Sequence, residues 1–463
     1  MTVASELEPL FARVLAAHRT WEARWPGYEE DETVRVPPAR LEEALDELCA
    51  RLGDNYPHFH PLYAGQMLKP PHPAALLGQL AAALVNPNNH ALDGGRATAA
   101  MEKEAVAGIA AMFGLDGGAG GDRFLGHLTA SGTIANLEAL WIARELHPER
   151  GIAIGADAHY THRRACALLR VPVLDVPSRA DGTMDVQAFA RLAESGGVGT
   201  VVVTLGTTGM GALDALPEVI AIARPLGVRV HVDAAYGGYF RLLADDDPAF
   251  AVFRATAEAD SLVIDPHKQG LQPYGCGCVL FKDGEVARLY HHESPYTYFS
   301  SPEHHPGETT LECSRAGAAA AALWLTMRLF PLAGADGMRP IVRRCRAAAV
   351  RFAQQIAASL TFRLLAPPAL DIVTYFPRLT RASAITAASH HVFEAAAASR
   401  EAPLFLAKLK VDRARFAALC PDVEIDADEV TVLRSCLMKP EHLAWAPRLF
   451  EHLERAAAAP SGA

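Results

Sequence analysis

The chain has 463 residues, half of them apolar, a formal net charge of −10 and an isoelectric point near 6.0. That is enough chain for one large domain and a smaller one. Its basic residues pair only in isolation, as Arg163-Arg164 and Arg343-Arg344, which argues against a nucleic-acid face. No uncharged apolar run reaches the roughly 18 residues of a membrane span. The start, Met1–Glu6, lacks the basic-then-apolar order of a secretory leader, and eight cysteines without framework spacing fit a reducing cytoplasm.

Residues 1–74 read as an N-terminal helical segment. Leu7–His18 and Leu41–Leu52 carry apolar residues at helical spacing, with Pro37-Pro38 between them. A loop dense in His, Pro and aromatics covers 55–63. From 75 to 330 helices and apolar strands alternate, which reads as a large domain. It opens with helices Ala74–Val85 and Ala99–Phe113, strand Gly126–Thr129 and helix Ile134–Leu146. Strand Ile152–Ile154, helix His162–Leu169, strand Val171–Val176 and helix Val186–Ser195 follow. Next come strand Thr200–Leu205, helix Leu216–Leu226, strands Val228–Val232, Ser261–Ile264 and Cys278–Phe281, and helix Arg315–Leu329. This alternation predicts an α/β fold with a mostly parallel sheet covered on both faces, and ligands beyond the carboxyl ends of its strands. After Phe330-Pro331, residues 331–463 read as a smaller α+β domain with strands Phe362–Ala366, Ile372–Phe376 and Glu429–Ser435 and helix Ser383–Ala398. The Gly-rich run Asp116–Asp122 lacks the Gly-Lys-Ser/Thr ending of a phosphate loop and reads as a surface turn.

Two segments carry the most information. His231–Gly238 sets Asp233 at the end of one apolar strand, and Asp265-Pro266-His267-Lys268 sets Lys268 just after another. A Lys and an Asp so held suit pyridoxal 5'-phosphate (PLP). The Lys forms a Schiff base with it, and the Asp keeps the pyridine nitrogen protonated so that the ring accepts electrons. A Schiff-base Lys must lose its proton, which an apolar site and a nearby cation favour. Taken singly, each neighbouring signal has a plainer reading. Asp233 also suits a turn cap, while small Ala235 leaves room for a ring. Ser131-Gly132-Thr133 between strand and helix offers hydroxyls and free N–H groups to a phosphate, or simply caps the helix. His159 after a strand stacks on a pyridine or sits in core or surface. Thr208 after Gly206 reaches cofactor or substrate, or makes a turn, and His267 is placed to contact the phosphate or the external aldimine. Cys276 and Cys278 read as small residues packed in a strand. The pairs His291-His292 and His304-His305 lack the spacing of a His-metal site, so no metal is expected.

With these residues together, the sequence resembles the group II PLP-dependent amino-acid decarboxylases of the aspartate aminotransferase fold (fold type I), and most of all the bacterial tyrosine decarboxylase branch. The resemblance is carried by Phe59–Tyr63, Gly65–Lys69, Asn86–His90, Gly126–Thr129, Thr133–Trp141, the Asp233 and Lys268 motifs, Ser314–Trp324 and Val432–Met438. It implies that His159 stacks on the cofactor ring and Asp233 pairs with its nitrogen. It further implies that Gly132, Thr133 and His267 bind phosphate, that Thr208 lies beside the cofactor and that Lys268 carries it. It implies a mobile loop, Glu293–Phe299, whose Tyr296 protonates the substrate carbon once carbon dioxide has left, with Tyr298 as the second candidate. His60, Tyr274 and Ser435 fall on the substrate side. The family forms homodimers with shared active sites.

Two departures stand out. Ala130-Ser131 replaces the more usual Ser-Gly, and the chain is shorter than typical tyrosine decarboxylases. The expectation is an L-amino-acid decarboxylase, with tyrosine or a relative as substrate. The alternatives are an aspartate or glutamate decarboxylase, an oxidative aldehyde synthase, against which Tyr296 argues, and a non-catalytic relative, against which Lys268, Asp233 and His159 argue.

Overall fold

The computed structural model describes residues 3–115, 124–291 and 305–460. The Gly-rich run Asp116–Asp122 and the loop tyrosines Tyr296 and Tyr298 lie outside the described residues.

Seven strands build one sheet: β1 Leu125–Thr129, β2 Gly151–Gly155, β3 Val173–Val176, β4 Val198–Thr204, β5 Arg229–Asp233, β6 Ser261–Ile264 and β7 Gly277–Phe281. Their spatial order is β1-β7-β6-β5-β4-β2-β3. Neighbours from β3 through β2, β4 and β5 to β6 pair in parallel, while β7 runs antiparallel to both β6 and β1. Every residue of β2, β4 and β6 is buried, as a parallel sheet sandwiched between helices requires. Helices Gly132–Leu146, Thr161–Leu169, Val186–Glu194 and Leu216–Ala223 follow β1 to β4 in turn. Because β1 and β6 run the same way, the turns after β1, β2, β4, β5 and β6 all open on one edge of the sheet. That is where such folds bind ligands.

Four further strands, β8 Phe362–Ala366, β9 Ile372–Pro377, β10 Ala407–Asp412 and β11 Glu429–Cys436, form an antiparallel sheet in the order β10-β11-β9-β8. Phe352, Phe362, Tyr375, Val392 and Leu449 fill the core beneath it. Four of its pieces go beyond the sequence expectation: helix Met338–Ala358, strand β10, helix Arg413–Leu419 and helix His442–Ala458. Met338–Ala358 carries five arginines but buries Val342, Cys345, Ala349, Phe352 and Ile356 on one face. Near the N-terminus, helix Pro38–Leu52 buries none of its residues. Its Leu41, Leu45, Leu48 and Leu52 are each more than half exposed.

Candidate active site

The turns at the carboxyl edge close around a cavity of about 180 Å³. Ser131, Gly132, Thr133, His159, Thr208, Asp233, Ala235, His267 and Lys268, all cofactor candidates from sequence, line it. Each arrives by a simple route: a buried apolar strand ends, and the first polar or small residues beyond it face the cavity.

Asp233 ends β5. His162 donates from Nε2 to its Oδ2 at 2.8 Å, and the Ala235 N–H donates to Oδ1 at 3.0 Å. Burial opposes the charge, but the His162 hydrogen bond and charge, Lys268 and the Ala235 N–H together outweigh it. They hold the carboxyl well below its usual range. His231 lies alongside, with Nε2 2.8 Å from Asn136 Oδ1 and Nδ1 2.9 Å from Ser261 Oγ. Burial pushes its imidazole down to about 3, so it stays neutral. His159 follows β2 and is half-buried. Burial lowers its pKa against the pull of Asp233, which favours the neutral ring. The turn that bears it is fastened by Arg415, whose Nη1 donates to Asp157 Oδ1 at 2.7 Å.

Lys268 Nζ lies 2.9 Å from Asp265 Oδ2, within one turn, and His267 Nε2 lies 3.5 Å from the same oxygen. Burial disfavours the ammonium, but Asp265, and after it Asp233, outweigh burial and hold Lys268 above its ordinary pKa. A nearby cation would ease loss of the Lys268 proton, but the nearest charged neighbour of Lys268 is an anion, because Asp265 folds back across the turn. The Asp265 carboxylate also covers Gly132, where a Cβ would stand 2.5 and 2.6 Å from its two oxygens. Gly132 is needed for this close approach and not for an unusual φ.

The residues fit PLP. Asp265 Oδ1, His267 Nδ1 and Thr204 Oγ1 are buried without a hydrogen-bond partner among the described residues. Beside them is the start of helix Gly132–Leu146, where the Ser131 hydroxyl accepts from Ile134 N at 3.4 Å. A helix start with a spare imidazole nitrogen is a phosphate seat. An ionised Asp233 matches a pyridinium, and Lys268 matches the aldehyde.

The remaining candidates lie elsewhere. Tyr274 is exposed. Its ring lies 4.7 Å from that of His267, and its hydroxyl donates to Met67 O at 3.2 Å. His60 packs edge-on against Trp445 at 4.9 Å, and Ser435 Oγ is 2.9 Å from Tyr375 OH beneath the small sheet. Neither His60 nor Ser435 lines the cavity. In return, the structure adds His162, Asn136 and Tyr236, which the sequence reading missed. His162 had one signal, its i+3 spacing from His159 at a helix start. No metal-ligating cluster of His, Cys, Asp or Glu occurs among the described residues. Cys276 and Cys278 are buried free thiols whose pKa burial raises.

The model of the pyridoxal-dependent decarboxylase conserved domain matches residues 45–376. The chain is 29% identical over 392 residues to the L-tyrosine decarboxylase of Enterococcus faecium, covering 63% of this chain and 63% of that protein. It is 32% identical over 327 residues to the probable L-aspartate decarboxylase of Halobacterium salinarum, covering 70% of this chain and 80% of the relative. The chain therefore spans less than two thirds of the Enterococcus protein. Among solved structures, Oryza sativa TDC with PLP and tryptamine matches with a TM-score of 0.77 at 20% identity, covering 98% of this chain and 97% of that one. Mouse CSAD matches with a TM-score of 0.76 at 17% identity, covering 95% and 91%. These likenesses show the fold, that of the fold type I PLP enzymes. With the family model spanning most of its length, the chain belongs to the pyridoxal-dependent decarboxylase family.

Proposed function

We propose that the chain is a PLP-dependent decarboxylase that converts an L-amino acid to its amine and carbon dioxide. The observation that carries this is the convergence of Asp233, His159, Lys268 and the start of helix Gly132–Leu146 on one cavity. When bound, PLP supplies an electron-accepting ring that stabilises the charge left on the α-carbon as carbon dioxide departs. Asp233, kept ionised by His162, holds a proton on the ring nitrogen. The neutral His159 ring would pack on the cofactor ring, with Thr208 and Ala235 lining the same cavity. Ser131, Gly132, Thr133 and His267 would hold the phosphate, and Lys268 would hold the aldehyde end. Tyr296, assigned from its Pro295-Tyr296 motif, returns a proton to the α-carbon.

The leading substrate is tyrosine or a related aromatic amino acid. Relatives are named for both tyrosine and aspartate decarboxylation. Among the described residues lining the cavity, Lys268 is the sole Lys or Arg, which supports the aromatic reading over an acidic substrate. The exposed leucine face of helix Pro38–Leu52 supports a homodimer in which a second copy covers it. Eight free cysteines support a cytoplasmic setting. No helix among the described residues is long and apolar enough to cross a membrane.

The test is a screen of the standard amino acids for amine release, read by mass spectrometry, with Lys268→Ala as control. Tyramine from tyrosine, absent with the variant, is the expected result. Amine from aspartate alone would replace the aromatic reading, and aldehyde with peroxide would replace decarboxylation by oxidative chemistry.

A further inference from the structure

Behind the Lys268 turn lies a buried polar bridge that the chemistry above leaves unused. Gln269 follows Lys268 and is 1% exposed. Its side-chain oxygen accepts from Lys69 Nζ at 2.9 Å, and its main-chain carbonyl accepts from the same ammonium at 3.1 Å. Its side-chain nitrogen donates to Asp371 Oδ2. The other carboxylate oxygen, Oδ1, accepts from Tyr236 OH at 2.7 Å. Tyr236 stands three residues beyond Asp233. Asp371 thus takes one hydrogen bond from the turn that carries Lys268 and one from the turn that carries Asp233.

The bridge also joins distant parts of the chain. Lys69 belongs to the N-terminal segment and donates to Met438 O at 3.4 Å. Asp371 immediately precedes β9, and its carbonyl accepts from Leu437 N at 2.8 Å. Burial pushes the Lys69 pKa down and the Asp371 pKa up, so each charge relies on protein partners in place of water. A carboxamide presents its oxygen to the cation and its nitrogen to the anion. A carboxylate at 269 would face Asp371 with like charge, and a hydrocarbon would strand both ions.

We propose that Lys69, Gln269 and Asp371 are positioning residues for Lys268, a clamp that sets the separation of the Lys268 and Asp233 turns across the cavity. The inference rests on the reading of Lys268 as the cofactor's attachment point.

The test exchanges the two bridge groups in the holoenzyme: Gln269→Glu, Asp371→Asn and the double variant. In the double variant Lys69 still meets an anion, the two bridge groups still share a hydrogen bond, and Tyr236 still meets an oxygen. Gln269→Glu alone is expected to lower kcat about ten-fold or more, with KM moving less, and to shift the absorbance maximum of the bound cofactor. The double variant is expected to recover most of both. Tyr236→Phe removes one arm by a single oxygen, and it decides the matter if Gln269→Glu fails to fold: it is expected to lower kcat and shift the absorbance maximum. Variants that change melting temperature but leave kcat and the absorbance maximum at wild-type values would overturn the clamp. So would a double variant no better than Gln269→Glu. Borohydride reduction of the wild type, followed by peptide mass mapping, separates the two levels. Label on a lysine other than Lys268 sinks the reading of the site. Label on Lys268 with unmoved variants sinks the clamp alone.

Discussion

His162 and Asp233 form a closed pair: Nε2 and Oδ2 are 2.8 Å apart, and the side chains are 0% and 6% exposed. Removing one partner of a buried pair strands the other, at about 3–5 kcal/mol. His162→Leu is therefore expected to lose stability of that order at pH 7 in urea unfolding and to bind PLP more weakly. His162→Gln, which keeps a donor, is expected to lose less. The folded pKa of Asp233 lies below its ordinary value of 3.8, so its contribution is present above that pH and fades as pH falls through the folded value. The gap between wild type and His162→Leu should narrow at pH 3. A gap of constant size across that range would contradict the assignment.

Asp265 is the main reason Lys268 is hard to deprotonate. Asp265→Asn keeps the shape over Gly132 and removes the charge. Only the free amine adds to an aldehyde, so cofactor capture at neutral pH should quicken roughly ten-fold per pH unit of downward shift. Stopped-flow absorbance on protein stripped of PLP measures this, and slower capture in the variant would refute it. The raised Lys268 pKa adds stability that is complete below its ordinary value of 10.5 and is lost as pH rises through the folded value. The variant should lack that alkaline loss.

Gly132→Ala drives a methyl group into the Asp265 carboxylate. Overpacking of this kind costs about 1–3 kcal/mol. Because the site of collision is also the helix start that seats phosphate, PLP affinity should fall with stability. Equilibrium dialysis and urea unfolding test the two together, and unchanged PLP affinity would separate Gly132 from phosphate binding.

Asp214 accepts the N–H groups of Met184 and Thr204, both at 2.7 Å, yet burial pushes its pKa up to about 6. A raised carboxyl stabilises the fold in its protonated form. That contribution is full below 3.8 and disappears as pH rises through about 6. Relative to Asp214→Asn, the wild type should lose on the order of 3 kcal/mol between pH 4 and pH 7. Parallel stability curves for the two proteins would count against it.

Leu45→Glu places a charge in the middle of the exposed leucine face of helix Pro38–Leu52. Sedimentation equilibrium should show weaker self-association at unchanged helix content. Wild-type mass in the variant would mean that another surface joins the copies.

Much of the site was readable because a strand buried on both faces is a continuous apolar run, and the residue that ends it stands out. Asp233 after Val228–Val232 and Lys268 after Ser261–Ile264 are visible for that reason. His162 was not, since a His followed by Arg163-Arg164 reads as surface until the helix face against the sheet is known. Helix Met338–Ala358 hid behind its arginines, and β10 behind its alternating lysines. The bond from Gln269 to Asp371 joins positions 102 apart in sequence, beyond any local pattern. Tertiary packing decides such contacts, and periodicity does not record it.

The lone antiparallel return of β7 beside β6 bears on the order of folding. Residues 265–276 link these two strands, whereas residues 205–228 link β4 to β5 and residues 234–260 link β5 to β6. Loop-closure entropy grows with loop length, and parallel pairing waits on a complete crossover. Lys268 therefore rides on the shortest closure between consecutive strands of the large sheet, while Asp233 depends on two long ones. The strand pairing behind the lysine turn is expected to close sooner than the pairings behind the aspartate turn, while the contacts that Gln269 makes with Lys69 and Asp371 wait on the rest of the fold.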